Sequence, residues 1–175
     1  MKKSIIIIAV ILLAGFSTKV MAQNTATINS ASAAKIVATI AINPGTTGSN
    51  LEFGSMSRPA TVATVTVSPA SVRSKTGTIS LLLQGATPKA SSYATTGDVN
   101  GLYTISLPTS STVTNGTPAD DMTINNFTCS NPTPNAAAFD GTGNDSFTVG
   151  ATLNLASGQA AGAYTGTFDV TVTYN

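Results

Sequence analysis

The sequence has no histidine and no tryptophan, and it has one cysteine among its 175 residues. The lack of histidine excludes the commonest general base, the commonest zinc ligand and any Ser-His-Asp triad. Because Cys129 is single, no disulfide can form within the chain, so packing and sheet hydrogen bonds must hold the fold. We expect Cys129 to be a buried thiol that acts as a small apolar side chain, and a cross-link between two chains is the alternative.

The first 22 residues have the pattern of a signal peptide. Lys2 and Lys3 precede an apolar stretch at residues 5–16, and residues 20–22 form a small-residue cleavage site. The apolar stretch is too short to span a membrane, and no later run is long enough. We therefore expect export through the inner membrane of a bacterium, with no membrane span after cleavage. The final location would be the periplasm, the cell surface or the extracellular space.

Charge is scarce in the chain that would remain after cleavage. Five basic residues face seven acidic ones, which gives a net charge of about −2. Such a surface lacks the basic stripe that nucleic-acid binding needs, so we expect no nucleic-acid partner. Residues 23–32 are polar and are expected to form a flexible arm, whereas residues 33–175 are long enough to bury one core as a single domain.

Beyond residue 32, apolar side chains alternate in short segments that are separated by Gly, Pro, Asn and Asp clusters, and no amphipathic helix is evident. The predicted strands are residues 34–42, 51–56, 61–68, 77–83, 93–97, 103–107, 122–129, 147–155 and a closing strand from near Tyr164. The turn between the third and fourth strands is placed around residues 73–75. The pattern predicts an all-β fold, an antiparallel immunoglobulin-like β-sandwich of about eight or nine strands, because the connections are too short for parallel crossovers.

The closing strand raises the question of what it pairs with. Every second side chain from Phe168 onward is large and apolar, and we predict a hairpin between this strand and residues 147–155. Its other edge has two candidate partners, residues 34–42 of the same chain or another molecule, and the sequence leaves both open. The residues expected to make these pairings are Phe168, Val170, Val172, Tyr174, Ile36, Ile40 and Ile42.

One loop has some features of a metal site. Asp140, Asn144 and Asp145 offer oxygen ligands in a glycine-rich loop, as calcium requires, but the loop is not the full twelve-residue calcium loop and lacks its terminal Glu. A turn that leads into the next strand is favoured, so these three residues are only a weak calcium candidate and no metal or cofactor is expected.

No set of residues indicates an enzyme. The remaining carboxylates lie mostly in predicted turns, where they bond nearby amides. Ser32 and Lys35 have the spacing of Ser/Lys enzymes, but they precede a predicted strand rather than lying on a helix. We expect no catalytic residues.

An ordered series of motifs runs through the chain: LEFG at 51–54, SVRSK at 71–75, YTISLP at 103–108, FTVGATL at 147–153 and GAYTGTF at 162–168. The series resembles a family of exported bacterial proteins known as a domain of unknown function (DUF4402). The resemblance covers nearly all of residues 33–175 and implies an exported β-fold, with no established activity.

The end of the chain has Gly162, an alternating apolar strand and the penultimate Tyr174. In these features it resembles pilin subunits of chaperone–usher fimbriae, especially the archaic spore-coat-like type. The resemblance implies that the last strand pairs first with a periplasmic chaperone, and that a neighbour's N-terminal strand later fills a gap in an incomplete sandwich. The single Cys129 departs from the disulfide-bearing pilins.

These observations favour a secreted, non-catalytic structural protein of the cell surface that assembles by strand complementation. Like subunits or a periplasmic chaperone would be its partners, and residues 34–42 would be the donor strand. The alternative is a self-complete extracellular adhesin or carbohydrate-binding domain. In that case residues 34–42 pair with their own sheet, and the loops at 115–121 and 132–145 carry the specificity.

Overall fold

The computed structural model describes residues 25–175, so the predicted signal peptide at residues 1–22 lies outside the described residues. Residues from Ile36 to Asn175 form one compact unit, and residues 25–35 do not belong to it. Residues 25–40 form no helix or strand. No helix among residues 25–175 is long and apolar enough to cross a membrane.

The fold is all-β, which confirms the predicted antiparallel β-sandwich. Two antiparallel sheets are built from ten strands in the described part of the chain, slightly more than predicted, and two single-turn 3-10 helices lie at Pro118–Asp120 and Pro134–Ala136. The strands are β1 (Ala41–Pro44), β2 (Ala63–Val67), β3 (Arg73–Thr76), β4 (Ser91–Thr96), β5 (Leu102–Ser106), β6 (Ser110–Val113), β7 (Met122–Cys129), β8 (Ala137–Ala138), β9 (Asn144–Leu155) and β10 (Thr171–Tyr174).

Strand β9 is the centre of the larger sheet. The sheet has the order β1-β4-β9-β2-β3, and β7 and β6 extend it from β9. Thr152 pairs with Thr66 of β2 and also with Asn125 of β7, so both edges of β9 are occupied there. This central position explains why nearly every residue from Phe147 to Leu155 is buried.

The predicted hairpin between the last two strands is wrong. Strand β10 belongs to the smaller sheet, which has the order β10-β5-β8, and Tyr174 of β10 lies opposite Tyr103 of β5. Because β2 and β7 already occupy the two edges of β9, the chain after β9 has to cross to the other sheet.

Several strand boundaries also differ from the prediction. Of residues 34–42, only the last two belong to a strand, β1, which pairs with β4 and places Ile42 opposite Thr95. Residues 73–75, predicted as a turn, lie in β3 and pair with β2. Residues 51–56 and 77–83 form only isolated bridges, and β6 and β8 were not predicted. The missed strands β3 and β6 carry few apolar side chains and β8 has only two residues, so none of them shows the alternation that the prediction used.

The core consists of two clusters of buried apolar side chains. The first includes Val65, Leu153 and Ile124, which lie side by side on β2, β9 and β7. The second surrounds Tyr103, which is fully buried and stacks on Phe139 with ring centroids 4.4 Å apart. The partly buried residues that pack against the second cluster include six of the predicted pairing residues: Ile40, Ile42, Phe168, Val170, Val172 and Tyr174.

Candidate functional site

A groove with a volume of about 930 Å³ opens over the first core cluster. Two extended segments that belong to no named strand form its sides, residues 51–59 (the first wall) and residues 159–170 (the second wall). Between them lies an apolar floor made of Val113, Met122, Ile124, Leu153 and Leu155. The sandwich therefore lacks a strand above this part of its larger sheet.

The first wall is hydrogen-bonded on its outer side. Glu52 exchanges two backbone hydrogen bonds with Lys89, at 2.9 and 3.0 Å. Farther along, Met56 lies opposite Leu81 in an antiparallel bridge that is flanked by backbone bonds from the residues on either side. Since the amide and carbonyl of such a bridged residue point away from its partner, those of Met56 point towards the groove. No backbone hydrogen bond of Met56 to another described residue is formed.

The guanidinium of Arg73 ties the first wall to β3. It donates hydrogen bonds to the carbonyl oxygens of Phe53 and Ser55, both at 3.1 Å, and to that of Leu82 at 3.0 Å. Gly54 lies beneath this guanidinium with a φ of +71°, and a Cβ at this position would lie 2.7 Å from the Arg73 side chain. Glycine is therefore required for the wall to approach Arg73 this closely.

The second wall has a free backbone edge. Thr165 exchanges two backbone hydrogen bonds with Thr114, at 2.9 and 3.0 Å, and the Ser111 hydroxyl donates to the carbonyl of Thr167. From residue 166 to residue 170, no backbone-to-backbone hydrogen bond to another segment is formed within the described part of the chain. An extended stretch with unpaired amides and carbonyls is a sheet edge to which another strand can add.

A buried polar network fixes the start of the second wall. Gln159 is buried, and its side-chain nitrogen Nε2 donates to the carbonyl of Asp120 and to the hydroxyl of Tyr164. That hydroxyl in turn donates to the carbonyl of Ala160 at 2.9 Å, and the Asn115 amide donates to it at 3.3 Å. Because these bonds hold residues 159–164 on the sandwich, the wall keeps its shape without a strand beside it.

The two walls meet at one end of the groove. The Arg58 guanidinium donates two hydrogen bonds to the carbonyl of Gly158, at 3.0 and 2.6 Å, and the Gly158 amide donates to the carbonyl of Pro59 at 2.9 Å. These bonds close the groove at this end. The acidic residues in its lining, Glu52 and Asp169, lie on the wall segments farther from this contact.

The predicted pairing residues fall into three groups. Phe168 and Val170 lie on the second wall, and Val172 and Tyr174 lie in β10. The Tyr174 hydroxyl donates to the carbonyl of Ala38 at 2.8 Å.

The third group lies in residues 34–42. Ile40 and Ile42 pack against the second core cluster, whereas Ile36 is 96% exposed. Residues 34–42 thus form no strand beside β10. The edge of β10 that faces away from β5 is paired with no strand among residues 25–175.

The calcium candidate is a hydrogen-bonded turn. One carboxylate oxygen of Asp140 accepts bonds from the amides of Asn144 and Thr142 and from the Thr142 hydroxyl, at 2.8–2.9 Å. These donors, that of Asn144 first, lower the pKa of the Asp140 carboxyl. Asp145 accepts from the Tyr103 hydroxyl at 2.7 Å. No group of three or more Cys, Asp or Glu side chains within the described residues is placed to hold a metal ion.

Two further polar groups belong to the second core cluster or pack against it, Tyr103 and Cys129. Burial, with a smaller contribution from Asp145, raises the pKa of Tyr103 to about 12. Cys129 is half-buried, and its thiol donates to the carbonyl of Asn131 at 3.4 Å. It packs against the second core cluster but is only partly buried, whereas the sequence predicted a buried thiol.

Sequence reasoning found only part of the groove. It identified Phe168 and Val170, which border the groove, but missed the first wall and the Gln159 network. The apolar residues Leu51, Phe53 and Met56 were the available signal, because they indicated a short strand without a known neighbour.

Comparison with known proteins gives one match. A family model described as a domain of unknown function (DUF4402) matches residues 42–174. No curated protein and no solved structure matches the chain. The matched range contains the floor and both walls of the groove, and it begins at Ile42, after most of residues 34–42.

Proposed function

The chain belongs to the DUF4402 family, whose function is unknown, and we propose that it is a secreted, non-catalytic, pilin-like structural protein of the bacterial surface. In this proposal a β-strand from another molecule completes its sandwich. The observation that carries the proposal is the free edge at residues 166–170 beside an apolar floor.

The chemistry of the groove suits a β-strand. The unpaired amides and carbonyls of the second wall would bond its backbone, while alternate side chains would reach the floor at Ile124 and Leu153. An edge of five residues extends about 17 Å at ~3.4 Å per residue. Three aliphatic side chains buried there would contribute about 5–9 kcal/mol before the cost of ordering the strand is subtracted.

The alternative, a self-complete binding domain, has less support. It requires that the chain itself fill the gap beside the second wall, and no strand between residues 25 and 175 pairs with residues 166–170. The aromatic residues that line the groove belong to or pack against the two core clusters rather than forming a platform for a sugar; they are Phe53, Tyr93, Tyr164 and Phe168.

Hydrogen exchange during assembly tests the proposal. The chain would be expressed with its own leader, purified, and separated by size at increasing protein concentration. We expect the amides of residues 166–170 to exchange rapidly in the monomer and slowly in the assembled fraction, because a bound strand would protect them. The proposal fails if the protein stays monomeric at every concentration, or if these amides exchange rapidly in the assemblies too.

A further inference from the structure

The segment that precedes β1 has the pattern of a strand but belongs to none. Residues 34–40 lie outside every strand of the described chain. Ile36 is 96% exposed and Val37 is 52% exposed. The apolar residues of one alternating set are Ala34, Ile36, Ala38, Ile40 and Ile42.

The path of this segment leads away from the groove of its own chain. Strand β1 is held by β4, and its Asn43 and Pro44 line the groove. At Ala38, however, the segment is hydrogen-bonded to the hydroxyl of Tyr174. Tyr174 lies in β10, the strand that follows the second wall. None of residues 34–40 lines the groove of its own chain, and the bond from Tyr174 holds the segment outside it at Ala38.

We infer that residues 34–40 of a second copy of this chain fill the groove. This inference rests on the proposed function and specifies which molecule provides the strand. Ile36 and Ile40 would face the apolar floor, and the alternating set that includes Val37 and Thr39 would face solvent. Lys35 is opposite in sign to Glu52 and Asp169, which line the groove together with one basic residue, Arg58, whose guanidinium is bonded to the carbonyl of Gly158.

Releasing the segment from its own domain breaks the hydrogen bond from the Tyr174 hydroxyl to the carbonyl of Ala38 but uncovers little apolar surface. Ile36 buries almost no surface there, and Ile40 is only partly buried, so it exchanges one apolar environment for another. Strand β1 can stay paired with β4 as the tether between the copies. Since each copy has one segment and one groove at different places, the contact is head-to-tail and generates an open chain of subunits.

Two neighbouring substitutions test which segment is used. Ile36→Asp and Val37→Asp each place a carboxylate at an exposed position, so neither should change the urea midpoint of the monomer. In the complex, the carboxylate introduced by Ile36→Asp would be buried over the floor without a partner, whereas the carboxylate introduced by Val37→Asp would face water. We expect Ile36→Asp to abolish assembly and Val37→Asp to retain it. Equal assembly by the two variants, or equal loss, overturns the inference.

A peptide experiment separates this inference from the proposed function. A synthetic peptide of residues 33–42 is added to the monomeric Ile36→Asp protein, and the same peptide carrying the Ile36→Asp substitution is the control. We expect only the native peptide to raise the melting temperature and to protect residues 166–170 from exchange.

The outcomes are distinguishable. If the wild type assembles with residues 166–170 protected while the native peptide has no effect and Ile36→Asp still assembles, the strand comes from elsewhere. The inference is then wrong and the proposed function stands. If the wild type neither assembles nor gains protection, both are wrong.

Discussion

Replacing Arg73 with methionine should destabilise the first wall of the groove. The guanidinium bonds the carbonyl oxygens of Phe53, Ser55 and Leu82. Methionine keeps much of the apolar stem but has no donor, so these contacts are lost while the packing of the stem is partly retained.

The structure sets the size of the effect. A hydrogen bond to a charged group contributes about 1.5–3 kcal/mol, and less where water competes. Two of the three bonds are partly buried and the bond to Leu82 is exposed, so we expect a loss of about 2–4 kcal/mol in the free energy of unfolding. Lys89→Met is the control, because its ammonium group donates one exposed bond, to the carbonyl of Thr47, and should cost less than about 1 kcal/mol.

Urea unfolding of the monomer measures both variants. The protein is kept dilute so that assembly does not contribute, and the two curves are compared at a common slope. Hydrogen exchange at residues 52–56 should also become faster in Arg73→Met alone. The reasoning is refuted if the two variants lose the same stability, or if Arg73→Met costs less than about 0.5 kcal/mol.

Three further predictions concern other parts of the fold. Gly150→Ala should cost about 2–3 kcal/mol in urea unfolding, because a Cβ would overlap the carbonyl oxygen of Val67, whereas Gly141→Ala, which has open space, should cost less than about 0.5 kcal/mol. The pKa of Tyr103 is raised from 10.0 to about 12, so its contribution to stability is present below pH 10 and is lost as the pH rises towards 12; melting temperatures across this range should fall less in Tyr103→Phe. Millimolar calcium should leave the melting temperature unchanged, since Asp140 already accepts three hydrogen bonds, and a rise that Asp140→Ala abolishes would contradict this.

Alternation predicted the strands that have one face, or both, in the core. Residues 61–68 contain β2, and residues 147–155 lie within β9, because their apolar side chains are sorted by burial. The edge strand β3 and the short strand β6 were missed for the same physical reason. Their sequences, RSKT and SSTV, are polar or half-exposed, so they show no alternation of apolar and polar residues.

Strand pairing could not be predicted in the same way. The closing strand was assigned to its nearest neighbour in the sequence, β9, but it pairs with β5, because the edges of β9 are occupied by strands from distant parts of the chain. Residues 34–42 have a clear alternation, yet most of them belong to no strand. Alternation shows that a segment can lie on a sheet, and it does not show which sheet, or which molecule, provides the partner.

The groove depends on both kinds of information. Phe168 and Val170 were recognisable from their spacing, but the gap beside them appears only when the first wall is placed on the other side of the floor. The hydrogen bonds that hold the walls, from Arg73 and from Gln159, join residues far apart in sequence or leave no periodic signal. Sequence patterns therefore identified the apolar side chains of the second wall but not the groove that this wall borders.

The most direct test of the central claim is a structure of the assembled protein by electron cryomicroscopy. The account predicts an extended chain between Met56 and residues 166–170, bonded to the second wall, with Ile36 of a neighbouring copy over the floor at Ile124 and Leu153. An assembly in which this groove is empty, or is closed by residues of the same copy, would contradict it.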